Sequence, residues 1–429
     1  MSDTFCPIPW VFLAIRNNGD LRVCCQANVS STRGILRDNQ GKPLNARVHN
    51  LQEARNSTLM KSIRKNMLEG VWSESCSRCK GEEQSGLNSR RGYELVNWDM
   101  RLSDVKGFTS KDGSVDLKKS PLKYVDIRFG NKCNLACRMC GPADSSAWYS
   151  DYSKLMNRDW FNDTHGKVSL TKNENGKLEN KAKSYLWYES PNFWEQLELN
   201  KTQIQHIYMA GGEPLLIDAH YDFLKKCVDS GISKNIILEY NTNLTVLPKV
   251  AEDLWNEFKQ VRLGLSVDGI GDVLEYQRYP AKWKNVLKNV EKVNLLSSTK
   301  IWAWFAYTVT VYNVFHLPEF IDWKISAKLD NINRGDRRPI LTHHMAHKPE
   351  HLNIRVFPDE TKKVLNDKFT KYLASLKERT NESNYLGAKK IIESVTSYMN
   401  HTSYCDKWWD SCISYTMKLD KIRNQDVND

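Results

Sequence analysis

Residues 124–140 read YVDIRFGNKCNLACRMC, and this stretch decides the fold. YVDIRF has the β-branched and aromatic composition of a strand, and it ends at a cysteine loop. The loop carries Cys133, Cys137 and Cys140 in C-x3-C-x2-C spacing. Three thiolates on one short loop can each take one iron of a cubane, which is usually held by four cysteines. Three ligands leave one iron open, and an open coordination position is where a metal does chemistry on a bound molecule. A zinc knuckle, or three buried cysteines, is the competing reading of the spacing alone.

The pattern of strand, loop and helix repeats downstream. IQHIYMA (204–210) runs into Gly211-Gly212-Glu213-Pro214, and NIILEY (235–240) into Asn241-Thr242-Asn243. VRLGLSV (261–267) runs into Asp268-Gly269, and WAWFAYTVTV (302–311) is a further strand. Helical patterns over 218–230 and 283–297 lie between them. Alternating strands and helices predict a parallel sheet with crossovers, whose polar signatures sit at strand ends where such sheets place their sites. The fold class expected is α/β: a partial (β/α)6 TIM-like barrel, a small N-terminal α+β cluster-binding domain and a C-terminal helical tail. The boundaries read as 1–98 for the N-terminal domain, 99–120 for a linker, 121–345 for the core and 346–429 for the helical extension. An aromatic-rich insertion near 145–200 interrupts the core, and its Trp and Tyr residues read as packing or as a stacking surface for substrate.

The N-terminal region has its own cysteines. WVFLAIRNNGDLRVCC (10–25) reads as a hairpin turning at Asn17-Asn18-Gly19-Asp20, and LQEARNSTLMKSIRKNMLEG (51–70) as one helix. Cys76 and Cys79 follow that helix. Residues 101–120 are polar and aperiodic. The chain holds 11 cysteines in 429 residues, and no secretion signal opens it, so close cysteine spacing reads as metal binding and the location as cytoplasmic. A net charge of +11 permits an acidic partner, but the basic residues are spread out and no nucleic-acid motif appears. No run is long and apolar enough for a membrane span.

The cysteine loop resembles the signature of the radical S-adenosylmethionine superfamily. That resemblance implies a 4Fe–4S cluster whose fourth iron is chelated by S-adenosylmethionine (SAM), reductive cleavage to a 5′-deoxyadenosyl radical, and hydrogen abstraction from a substrate. Gly211, Gly212 and Glu213 look like the motif that binds the methionine amino group. Ser266 and Asp268 correspond to the ribose motif, and Arg278 to the arginine that pairs with the methionine carboxylate. Asn243 resembles a family position normally followed by glycine, where this chain has Leu244. Cys6, Gly19 and Cys24 stand in the C-x12-G-x4-C spacing that opens twitch and SPASM domains, and Cys76 and Cys79 would complete four ligands for a second, auxiliary 4Fe–4S cluster. A four-cysteine zinc site is the runner-up there. In the family this module usually follows the radical domain; here it precedes it. The substrate implied is a peptide or protein, with dehydrogenation of small alcohols also found in such families, and the electron donor a flavodoxin or ferredoxin. The alternative function is a zinc- or cluster-binding nucleic-acid or scaffold protein without radical catalysis.

Four histidines (His343, His344, His347, His351) have partial helical metal spacing, but Pro349 argues for a strand end and loop. Cys227 reads as core, Cys25 as facing away from Cys24, and Cys405 and Cys412 as buried or substrate-side thiols.

Overall fold

The computed structural model describes residues 4–27, 34–84, 88–155, 160–161, 168–297, 299–334, 340–401 and 406–427. Cys405 lies outside the described residues. In chain order the strands are β1 (Phe12–Ile15), β2 (Leu21–Arg22), β3 (Tyr124–Phe129), β4 (Leu170–Lys172), β5 (Leu178–Asn180), β6 (His206–Gly211), β7 (Ile237–Thr242), β8 (Gln260–Leu265), β9 (Ile301–Val309) and β10 (Thr342–Met345).

Eight strands form one sheet in the order β10-β9-β8-β7-β6-β3-β1-β2. Every pair from β10 to β1 is parallel, and β2 closes the edge antiparallel to β1. Strands β3 and β6 to β10 are the six of the partial barrel, with helices such as Asp218–Asp229 and Trp283–Leu296 as crossovers. β1 extends this barrel sheet: Phe12 pairs with Tyr124 and Ile15 with Ile127. One hydrophobic core therefore runs from Trp10 and Leu13 at the N-terminus through Ile127, Leu238 and Phe305. The insertion supplies the hairpin β4–β5, and the helices Asp359–Arg379, Glu382–Asn400 and Asp406–Arg423 follow the barrel. Among the described residues no helix is long and apolar enough to cross a membrane.

Two local readings differ from expectation. The single helix over 51–70 is broken into Leu51–Ala54 and Thr58–Leu68. Arg55, in the break, is fully buried; it donates to Trp10 O and, at 2.6 Å, to Ser120 O. Arg64 is equally buried and donates to Gly113 O at 2.6 Å and Pro9 O at 2.9 Å. The same two guanidiniums pin the polar 101–120 stretch, which contains a short helix (Leu102–Lys106), by binding its carbonyls. The hairpin turn forms as read. Gly19 sits at φ 85, and a Cβ there would meet Trp187 Cγ at 2.7 Å, so the glycine serves both the turn and the packing of the insertion.

Candidate active site at the carboxyl ends of the barrel strands

The cysteine loop leaves β3 and is fixed largely by its own backbone. Ala136 N donates to Tyr279 O at 2.7 Å, Arg138 N to Gln277 O at 2.8 Å, and Cys140 N to Cys137 O at 2.9 Å. Trp148 of the insertion is fully buried and donates its indole N–H to Cys137 O at 3.0 Å. That aromatic residue is therefore structural. Cys137 is buried, and Cys133 and Cys140 are half-buried. Asn243 Nδ2 lies 3.7 Å from Cys133 Sγ, and Arg278 Nη1 lies 3.9 Å from Cys137 Sγ. Burial pushes the Cys133 thiol up to about 12, whereas Cys137 is held below its ordinary range by the Cys140 thiol and then by Arg278. Three thiols on one loop, two of them faced by N–H donors, fit a three-thiolate cubane seat.

Glu213 joins this loop to the neighbouring strands. It is 1% exposed. Its carboxylate accepts from Leu215 N at 3.1 Å, Thr242 Oγ1 at 2.8 Å and Asn243 N at 2.7 Å. A carboxylate offers about four acceptor positions, so one remains for an ammonium group. Burial raises its pKa to about 7. The glycines before it lie against the cysteine loop. A Cβ on Gly212 would meet Lys132 O at 2.2 Å, and one on Gly211 would meet Phe129 N at 2.6 Å. The close approach they permit is to the backbone at the start of the cysteine loop, and Glu213 N donates to Lys132 O at 2.8 Å.

Arg278 and Asp268, read as separate contacts to cofactor, are paired with each other. Arg278 Nε and Nη2 lie 2.8 and 2.5 Å from Asp268 Oδ2. Asp268 Oδ1 accepts from Thr308 N at 2.7 Å, and the residue is fully buried. The carboxylate thus orients the guanidinium beside Cys137. Ser266 is half-buried at the end of β8. Asn243 holds the loop as well, donating to Asn134 Oδ1 at 3.1 Å.

Residues 127–302 match the family described as the Radical SAM superfamily. This segment is a radical SAM domain. The match spans β3 to the start of β9 and so contains the cysteine loop, Glu213, Asn243 and Arg278. Among solved structures the chain is similar to SuiB of Streptococcus suis bound to S-adenosylmethionine, at 13% identity over 86% of this chain and 69% of that one, with a TM-score of 0.35. It is also similar to native anSMEcpe with bound AdoMet, at 15% identity over 59% of this chain and 62% of that one, with a TM-score of 0.35. No curated protein matches.

Outside the matched segment the chain brings other cysteines together too. Cys6, Cys24, Cys76 and Cys79 line one cavity under Trp72 and Arg91. Cys25 instead lines a second, larger cavity of about 820 Å³ inside the barrel. The histidines disperse: His343 faces Ser394 at 2.9 Å, His347 faces Tyr398 at 3.0 Å, and His351 is buried. Cys227 and Cys412 are buried. Among the described residues no three His, Cys, Asp or Glu side chains are placed to hold a single metal ion.

Sequence reasoning missed two features of this site. The barrel interior is polar, because inward positions carry Asp126, Arg128, Glu239 and Arg262. That alternation along YVDIRF and ILEYNT was legible but went unread. The last helix, Asp406–Arg423, braces the cysteine loop: Tyr415 OH donates to Arg138 O at 2.8 Å, Arg423 Nη2 to Ala136 O at 2.7 Å, and Arg138 pairs with Asp420. No motif marks those residues.

Proposed function

We propose that this chain binds SAM at the 133–140 cluster, generates a 5′-deoxyadenosyl radical, and abstracts hydrogen from a peptide held in the barrel cavity. The observation that carries this reading is that the three-thiol loop and the Glu213 carboxylate are tied to one another at adjacent strand ends. Glu213 N holds Lys132, and its carboxylate holds Asn243, whose side chain faces Cys133. The bound cluster and SAM would supply one-electron cleavage chemistry. Cys133, Cys137 and Cys140 would ligate three irons. Glu213 would accept from the methionine ammonium with its remaining acceptor position, and Ser266 offers a hydroxyl at the end of β8 for the ribose. Arg278, oriented by Asp268, places positive charge beside Cys137. Buried aromatics, Trp148 foremost, exclude water from the loop. The cavity of about 820 Å³ opens between β3 and β10 and has room for a side chain with its flanking backbone.

The experiment is formation of 5′-deoxyadenosine after anaerobic reduction of iron-loaded protein with SAM. Glu213→Gln keeps an acceptor oxygen but removes the charge. It should weaken SAM binding about tenfold, or ~1.4 kcal/mol, with iron content unchanged. Unchanged affinity by equilibrium dialysis rejects the ammonium assignment.

We also propose a second cluster at Cys6, Cys24, Cys76 and Cys79. A variant with Cys133, Cys137 and Cys140 all replaced by alanine should still bind about four irons with matching labile sulfide. Zinc in their place, or no metal, removes the second cluster.

A further inference from the structure

We infer that the outward face of the last helix, Asp406–Arg423, docks a small acidic protein that carries single electrons to the 133–140 loop. This rests on the reading of that loop as the site of reductive SAM cleavage.

The helix has two unlike faces. Cys412, Tyr415, Leu419 and Arg423 are buried and turn inward. Two of them hold the cysteine loop itself, Tyr415 at Arg138 O and Arg423 at Ala136 O. The opposite stripe runs through Asp410, Ile413, Met417 and Lys421, three or four residues apart, and looks away from the loop. Met417 is 68% exposed and Ile413 43%, which gives the stripe an apolar centre. Lys407, Lys418 and Lys421 are exposed around that centre. Lys154 is exposed at the end of the helix Tyr149–Lys154, whose Asp151 pairs with Arg423. None of the four lysines has a carboxylate partner among the described residues.

Charge and position give the kind of partner. The lysines face the single acid of the stripe, Asp410, so the patch is positive and complements an acidic surface. An apolar centre inside a charged rim is the usual anatomy of a protein interface. A helix is about 10 Å across, so a partner on this face stands one helix thickness from the cysteine loop. The proposed cleavage consumes one electron for each SAM. The carrier is oxidised by that electron, the bond between sulfur and the 5′ carbon breaks, and methionine leaves.

The test uses the iron-loaded protein, with purified flavodoxin as the probe. Binding of oxidised flavodoxin is read by titration calorimetry at low salt and at about 0.5 M salt, where charges are screened within a few ångströms. 5′-Deoxyadenosine is then measured with flavodoxin hydroquinone and, separately, with dithionite, which needs no docking face. Lys407→Glu combined with Lys421→Glu should weaken low-salt binding about tenfold and slow the flavodoxin-driven reaction about as much, with the dithionite-driven reaction unchanged. Met417→Glu should act in the same way. Lys363→Glu combined with Lys371→Glu makes the same charge change on the helix Asp359–Arg379 and should alter neither readout. Wild-type protein that does not bind flavodoxin, or binds it equally at both salt levels, overturns the proposal. So does a Lys407/Lys421 variant that matches wild type or the Lys363/Lys371 control. Equal loss of the dithionite-driven reaction would assign the face to folding and overturn it too. Wild-type protein that binds flavodoxin but forms no 5′-deoxyadenosine with either reductant would sink the radical reading and leave the docking face standing.

Discussion

Cys137→Ala should reduce 5′-deoxyadenosine formation by at least about a thousandfold under reducing, anaerobic conditions, because two thiolates cannot seat a cubane that takes three from this loop. Cys137 is the test position because it is the most enclosed of the three, at 5% exposure, and the one beside Arg278. Its carbonyl, which accepts from Trp148, belongs to the backbone and survives the substitution. The loop should therefore keep its path, and far-ultraviolet circular dichroism should not change. Cys137→Ser, closer in volume, should be as inactive. Iron retained at the four N-terminal cysteines would show that the loss is local. Appreciable 5′-deoxyadenosine from Cys137→Ala would remove the SAM-cleaving cluster from this loop.

Arg423→Ala should be the most damaging substitution outside the cysteines. Arg423 is enclosed, with its side chain 1% exposed. Its Nε donates to Asp151 Oδ2 at 2.9 Å and its Nη2 to Ala136 O at 2.7 Å, inside the cysteine loop. The guanidinium also lies 4.7 Å from the rings of Trp148 and of Tyr279. Truncation leaves the Asp151 carboxylate without its cation and the Ala136 carbonyl without its donor. Removing one partner of a buried ion pair costs about 3–5 kcal/mol. Urea unfolding should show a loss of that order, and the 133–140 loop should load iron poorly. Arg423→Lys keeps a charge but cannot bridge both acceptors, and should recover only part. An unchanged unfolding midpoint with full iron loading would show that the last helix merely covers the loop.

How much of this could be read in advance depended on the kind of interaction. The strand YVDIRF was legible with its bounds, because its period and its cysteine loop are local. The Glu213 and Asn243 positions were legible because a motif travels with each strand end. Their partners were not. Arg278 and Asp268 each looked like a hand held out to a ligand, and only the fold shows that they hold one another. Arg55 and Arg64 carry no signal of their role in the sequence, since arginine is seldom fully buried. Their burial breaks a helix and ties down a stretch that composition describes as loose. Leu244 carries the opposite lesson. The missing glycine looked like a departure, but the backbone there is still left-handed, at φ 56. A leucine in that region costs roughly 1–2 kcal/mol. The cost is offset by complete burial of its side chain and by bonds from Leu244 N to Thr242 Oγ1 and from Asn289 Nδ2 to Leu244 O.

The brace on the cysteine loop also ties together distant parts of the chain. Arg138 and Asp420 are 282 residues apart. Contacts of such separation cost loop-closure entropy before they contribute, so they are slow to form. The path of the three-thiol loop is thus completed by the last described helix, and a truncation that removes Asp406–Arg423 would leave every barrel strand in place while taking the brace away.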